Sequence, residues 1–241
     1  MKEILVINPN TTVSMTRGIE RLISYFTAPS GVSSINNEDD AKISALHCLP
    51  HLESLIEQYD AFLIACYSRH PLVSLLKSNP RIISQNKLVT GIFEASISHS
   101  LQLVSSKEKF GIVSTSKVYE ELLSDAVHDF LGSDSCKWFG GVETTGLNAS
   151  ELEHAPDVRS RMKETTKRLV RRGDIGAICL GCAGMADMDN LVREACIEEM
   201  GVDKGSRIFV VDGIISGLAF LDSTLSLRAR PQPAFAVSSS I

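Results

Sequence analysis

The sequence predicts an α/β protein of two similar, doubly wound parallel-sheet lobes, with a site in the cleft between them. Three observations carry that prediction. Short apolar, β-prone runs alternate with helix-length segments along the chain, the pattern of parallel strands joined by crossover helices. Two runs match each other: residues 61–66 and 177–182 each begin with alanine, end with cysteine and are mostly apolar between. Each half also opens alike, with a strand, a hydroxyl-rich turn and a helix, at 4–12 and again at 109–116.

Composition narrows the class. The 241 residues suffice for one large or two small α/β domains with a sizeable core. Hydrophobic residues make up 44% and charged residues 22%, an ordinary globular balance. The formal net charge is −5, aromatics are 6% and no long basic stripe occurs, which argues against nucleic-acid binding. The basic residues at 161–172 read as a solvated helix face. The first apolar run is too short for a secretion signal, and no run of about 18 apolar residues exists to span a membrane. The six cysteines are expected to be reduced, and the expected compartment is the cytoplasm.

The first strand covers 4–7 and breaks at Asn8-Pro9-Asn10-Thr11-Thr12. Proline cannot continue a central strand, and Asn and Thr favour turns and caps. That turn lies at a strand's carboxyl end, where open α/β sheets bind ligands. A helix is expected over 13–26, with Met15, Ile19, Leu22 and Ile23 at helical spacing. Residues 28–41 read as a surface loop around a short strand, and a helix near 51–58 leads to the strand 61–65 and Cys66. Pro71 suits the first position of a helix over 71–78. Cys66 then lies close to a helix N-terminus, which favours a thiolate.

A strand at 88–92 and a helix from Phe93 to about 104 complete the first half by this pattern. The second half begins with a strand at 109–113, the polar cap Ser114-Thr115-Ser116 and a helix over 117–131. A strand at 138–142, a loop at 144–148 and one long polar helix over 150–172 follow. Next come the strand that ends in Cys182, a helix carrying Leu191, Ala195 and Cys196, a strand at 208–211 and a helix over 214–221. The tail from Arg228 reads as loose. His47-Cys48-x-x-His51 has no fourth ligand in view and fits a helix start, so no metal is expected. His70 reads as a surface histidine at a helix start. Cys48, Cys136 and Cys196 read as structural.

Two cysteines at matching strand ends, half a chain apart, suggest thiols presented to one cleft. Such a pair can invert a carbon acid without a cofactor. One thiolate removes a proton and the opposite thiol delivers one to the other face. The turns at 9–12, 66–68, 114–116 and 182–184 could supply donors to the enolate oxygen. Cys179-x-x-Cys182 reads poorly as a disulfide, because strand residues three apart point to opposite faces.

The motifs Val6-Ile7-Asn8-Pro9-Asn10-Thr11-Thr12 with Met15-Thr16, Ala65-Cys66, Gly91-Ile92-Phe93-Glu94-Ala95 and Leu180-Gly181-Cys182-Ala183-Gly184-Met185 carry a family likeness. Over residues 4 to about 221 the chain resembles the hydantoin/allantoin racemase branch of the Asp/Glu racemase superfamily, including its fungal Dcg1-like members. The resemblance implies flavodoxin-like lobes, a cofactor-independent two-cysteine racemase and a homo-oligomer. It implies Cys66 and Cys182 as the catalytic pair. It places the substrate, a hydantoin ring, against Asn10, Thr11, Tyr67, Ser68, Phe93, Ser114, Thr115, Ala183 and Gly184. Lobe one would be 1–95 plus 213–241, contributing Cys66, and lobe two 96–212, contributing Cys182. Allantoin is the first substrate it implies, in purine catabolism.

Ser68-Arg69-His70-Pro71 departs from the acidic or Gly-Asp-Pro-like turn usual in bacterial members, which leaves the substrate open. An amino-acid racemase, a cysteine-dependent decarboxylase or a non-catalytic metabolite-binding protein are the alternatives. A free amino acid would call for a cationic carboxylate anchor, and Arg69 is the one in view.

Overall fold

A computed structural model describes residues 3–13, 24–132, 137–152 and 154–229. Two four-stranded parallel sheets with interleaved helices make up the described residues. The first sheet holds β1 (Ile4–Asn8), β2 (Ser24–Thr27), β3 (Ala61–Ile64) and β4 (Leu88–Gly91), in the order β2-β1-β3-β4. The second holds β5 (Lys109–Ser114), β6 (Phe139–Thr144), β7 (Ile175–Leu180) and β8 (Phe209–Val211), in the order β6-β5-β7-β8. The α/β class and paired sheets match the sequence prediction. The strands β3 and β7 hold the same place in their sheets, and each is buried along its whole length. Burying a side chain such as Phe62 or Ile178 contributes about 1.5–3 kcal/mol, so these strands form a stiff base.

Among the described residues the longer helices are α1 (Glu38–Glu53), α2 (Pro71–Lys77), α3 (Pro80–Ser84), α4 (Ile92–Leu103), α5 (Val118–Leu131), α6 (Val158–Val170), α7 (Asp189–Met200), α8 (Val202–Gly205) and α9 (Gly213–Arg228). Helix α4 packs against β4 of one sheet and against β5, β7 and β8 of the other. One apolar cluster therefore runs between both sheets, from Leu63 through Ile92 and Ile97 to Phe110 and Ala177. Helix α9, capped by Asp212 accepting from the N–H groups of Ile214 and Ile215, lies against α4, β3 and β4.

Three local expectations need correction. Within the span assigned to a helix over 13–26, residues 14–23 lie outside the described residues and Ser24–Thr27 is strand β2. Its half-exposed Ser-Tyr-Phe-Thr sequence is too short to declare itself. The helix expected near 51–58 is α1, which starts at Glu38. The Asn37 side chain accepts from the Asp40 N–H at 2.8 Å, and three acids in the first turn suit the helix dipole. The long helix expected over 150–172 begins only at Val158, just past Pro156, after a short 3-10 turn, Ala149–Glu151, boxed by Asn148 and Glu151. Cys136 and the tail beyond Ala229 lie outside the described residues.

Candidate active site

Parallel pairing sets the position of both thiols. Ile7 and Gly91 flank Ile64 in the first sheet, and Val113 pairs with Leu180 in the second. Each cysteine sits two residues beyond its strand, Cys66 after β3 and Cys182 after β7. Both line one small cavity, of about 30 Å³, room for a water or two. From the first sheet's side its walls are Asn10, Ala65, Cys66 and Tyr67, with Ser34 and Ile35 from the loop before α1. From the second they are Thr115, Tyr119, Ala149, Gly181, Cys182 and Ala183. A larger cavity of about 330 Å³ adjoins it and shares Ile35 and Tyr119. Ser68, Arg69 and Leu123 line that outer space.

Burial dominates the thiols. It pushes Cys66 up to about 12, helped by the nearby Cys182 and Glu94 charges and opposed by the Ser68 hydroxyl, 3.4 Å from the sulfur. It pushes Cys182 up to about 11, opposed by the Gly184 N–H. The sequence had suggested a helix N-terminus lowering the Cys66 thiol. Helix α2 instead spends its first turn on His70, whose Nδ1 accepts the Leu72 N–H at 3.3 Å. His70 is no surface residue either: it is 2% exposed, burial depresses it to about 4, and its Nε2 has no hydrogen-bond partner.

The other expected residues separate into two groups. Asn10, Tyr67, Thr115 and Ala183 line the inner cavity, and Ser68 and Gly184 lie against the two sulfurs. Thr11, Phe93 and Ser114 do not line it. Thr11 bonds through its N–H to the Val32 carbonyl at 3.1 Å and so anchors the covering loop. Phe93 is fully buried, edge-on to Tyr67. Ser114 donates to the Gly181 carbonyl at 2.9 Å and steadies the turn that carries Cys182. Among the described residues no group of three or more His, Cys, Asp or Glu could hold a metal. His47 pairs with Ser30, while Cys48 reaches the Pro9 carbonyl. No helix of the described residues is long and apolar enough to cross a membrane.

The Asp/Glu/Hydantoin racemase family pattern matches residues 4–219. The chain belongs to that family. It is an isomerase of the racemase class. It is 30% identical to Protein DCG1 of Saccharomyces cerevisiae over 210 residues, covering 78% of this chain and 84% of that one. It is 29% identical to the hydantoin racemase of a Pseudomonas species over 240 residues, covering 95% and 88%. Among solved structures, the allantoin racemase from Klebsiella pneumoniae superposes with a TM-score of 0.76 at 24% identity, covering 95% of this chain and 89% of that one, a likeness of fold.

For this racemase, sequence reasoning missed Ser34, Ile35, Tyr119 and Ala149 as cavity residues. Ser34 and Ile35 come from an irregular segment and Ala149 from a 3-10 turn of three residues, too short for a periodic signal. Tyr119 had a signal. It is the second residue of a helix that follows a hydroxyl-rich cap, and helical side chains lean toward the N-terminus, here the site.

Proposed function

We propose that this racemase inverts C5 of a 5-substituted hydantoin, with allantoin as the first candidate, by proton transfer between Cys66 and Cys182. The observation behind the reading is that the two thiols occupy equivalent strand ends of two like sheets and share one small cavity. In one direction a thiolate takes the C5 proton, and the electron pair moves into the ring as an enolate. The opposite S–H then gives its proton to the other face of C5. The thiol and thiolate have exchanged places, and the reverse enantiomer uses the opposite order. Burial makes each thiolate a strong base, and the charge of one discourages ionisation of the other, so once one thiol ionises its partner stays protonated. The Ser68 hydroxyl and the Gly184 N–H are the donors already beside the sulfurs.

A free amino acid fits less well. The cations at the outer cavity, Arg69 and Lys42, are each in ion pairs, with Asp129 and with Asp39 and Glu38. A neutral ring needs no such anchor. The same reading keeps lobe one at 1–95 plus 213–241 and lobe two at 96–212, a homo-oligomer and a cytoplasmic place, all as proposals.

The test is proton exchange at C5 in D₂O with single-enantiomer allantoin and then a 5-alkylhydantoin, followed by NMR and optical rotation. Loss of rotation with deuterium uptake, abolished in Cys66→Ser and in Cys182→Ser, is the expected result. No acceleration with any hydantoin overturns the substrate class. Exchange that survives loss of either cysteine overturns the two-cysteine mechanism.

A further inference from the structure

Between the two thiol-bearing segments lies a buried polar cluster inside an otherwise apolar layer. Ser96 and Ser100 stand one turn apart on α4, both with no exposed surface. The Tyr67 hydroxyl is 2.8 Å from Ser96 Oγ. Ser96 gives its one proton to the Phe93 carbonyl at 3.0 Å, so Tyr67 is the donor to Ser96. Cys179 Sγ donates to the Ser96 carbonyl at 3.9 Å and lies 3.1 Å from Ser100 Oγ. Its sulfur also meets the Tyr67 hydroxyl.

These four residues join three elements. Tyr67 directly follows Cys66. Cys179 is on β7, three residues before Cys182. The serines belong to the helix packed on both sheets. Around them the layer is apolar, with Ile97, Phe93 and Ala177 in the same cluster. Apolar contacts tolerate sliding because they have no direction. Buried hydrogen bonds do not, since a broken one leaves an unsatisfied polar group. Resting on the two-thiol reading above, we infer that the Tyr67–Ser96–Cys179–Ser100 cluster is a cross-brace that fixes the distance between Cys66 and Cys182. Tyr67 and Cys179 are thus positioning residues for proton delivery across the cleft.

The brace has a kinetic signature that a loss of stability lacks. If the sulfurs drift apart, the first thiolate still takes the C5 proton. The far thiol delivers less often, the S–H that holds the C5 proton exchanges with D₂O, and a deuteron returns from the same side. Exchange then outruns inversion. The experiment compares wild type, Tyr67→Phe and Cys179→Ala with Ile97→Val, an apolar change in the same cluster. Deuterium uptake and inversion are measured together, beside KM. The brace variants should show inversion per exchange lower by about five-fold, the size of one net hydrogen bond, with KM little changed. Ile97→Val should keep the wild-type ratio. An unchanged ratio in both brace variants, or an equal change in Ile97→Val, overturns the inference.

A second measurement needs no turnover. A short bifunctional alkylator, 1,3-dibromoacetone, is allowed to bridge Cys66 and Cys182, and the bridged fraction is read by mass spectrometry. It should fall in Tyr67→Phe and Cys179→Ala and stay in Ile97→Val. A constant fraction across all four proteins also overturns the brace. Wild type that bridges but exchanges no hydantoin proton overturns the proposed substrate alone.

Discussion

The Tyr119 hydroxyl donates a 2.7 Å hydrogen bond to the Ile35 carbonyl, and so a helix following the second sheet's first strand holds down the loop over the first sheet. Both residues wall the inner cavity and the outer one. The inner cavity, about 30 Å³, is smaller than a five-membered ring, and this contact forms part of its wall. Tyr119→Phe removes the bond and leaves the ring. Amide hydrogen exchange of residues 32–37 should quicken by about five-fold, the equivalent of one net hydrogen bond. Unchanged exchange there would mean that Thr11 and Thr12 hold the loop unaided, through the carbonyls of Val32 and Ser33.

The two thiols should titrate as a linked pair. Cys182, pushed up to about 11, should ionise before Cys66, pushed up to about 12. Alkylation by iodoacetamide should be slow at neutral pH, rise with pH, and label Cys182 first by peptide mapping. Because the Cys182 charge contributes to the Cys66 shift, Cys182→Ser should move the Cys66 midpoint down. The C5 exchange proposed above should likewise quicken as the pH rises toward 11. A fast-reacting Cys66 at neutral pH would contradict this picture.

His70 should destabilise the protein in acid. Its folded value is about 4, below the free imidazole value of about 6.5. Above about 6.5 it is neutral folded or unfolded. As the pH falls through that value toward 4, the unfolded chain takes up a proton that the buried ring refuses, and stability is lost. The full effect is on the order of 3 kcal/mol. His70→Asn keeps a side chain able to cap α2 and removes the titration. Urea unfolding at pH 7 and pH 4.5 should show a smaller acid loss in the variant than in wild type. Equal losses would assign the effect elsewhere.

Gly181 should be intolerant of a methyl group. A Cβ there would lie 2.8 Å from the Val113 carbonyl oxygen and 2.7 Å from Ile112 Cγ2. The Gly181 N–H already bonds that carbonyl at 2.7 Å, so β5 and the Cys182 turn touch backbone to backbone. Gly181→Ala should cost about 1–3 kcal/mol by overpacking and should displace Cys182. Thermal melting and C5 exchange should both fall. In the first sheet the matching position is Ala65, so Ala65→Gly should be milder in both assays.

The two sheets were readable because their central strands are buried on both faces and so appear as unbroken apolar runs, as in Ala61–Ile64 and Ile175–Leu180. Edge strand β2 lacks that signature. Helix α1 was hidden by the polar content of its first turns, and it carries Pro50 within it. The cysteines were visible because strand ends are fixed by sheet register. Ile35 and Tyr119 were not, since their meeting depends on how a loop crosses from one lobe to the other, which no local pattern encodes. The thiol energetics were misjudged for a related reason. Proximity in sequence to Pro71 suggested an electrostatic benefit, but desolvation depends on everything packed around the sulfur.

Both sheets run in the same order, with a thiol at the same place in each, yet the surroundings differ: a hydroxyl from Ser68 beside one sulfur, a backbone N–H from Gly184 beside the other. Mirror-image reactant and product have equal free energy. The ratio kcat/KM must therefore be the same from either hand, however far the two halves have diverged. Divergence can appear only as kcat and KM rising or falling together. A duplicated scaffold of this kind is free to change one half-site for tighter capture of one hand. The other hand then acquires a higher KM and a proportionately higher kcat, and the mixture at rest stays even.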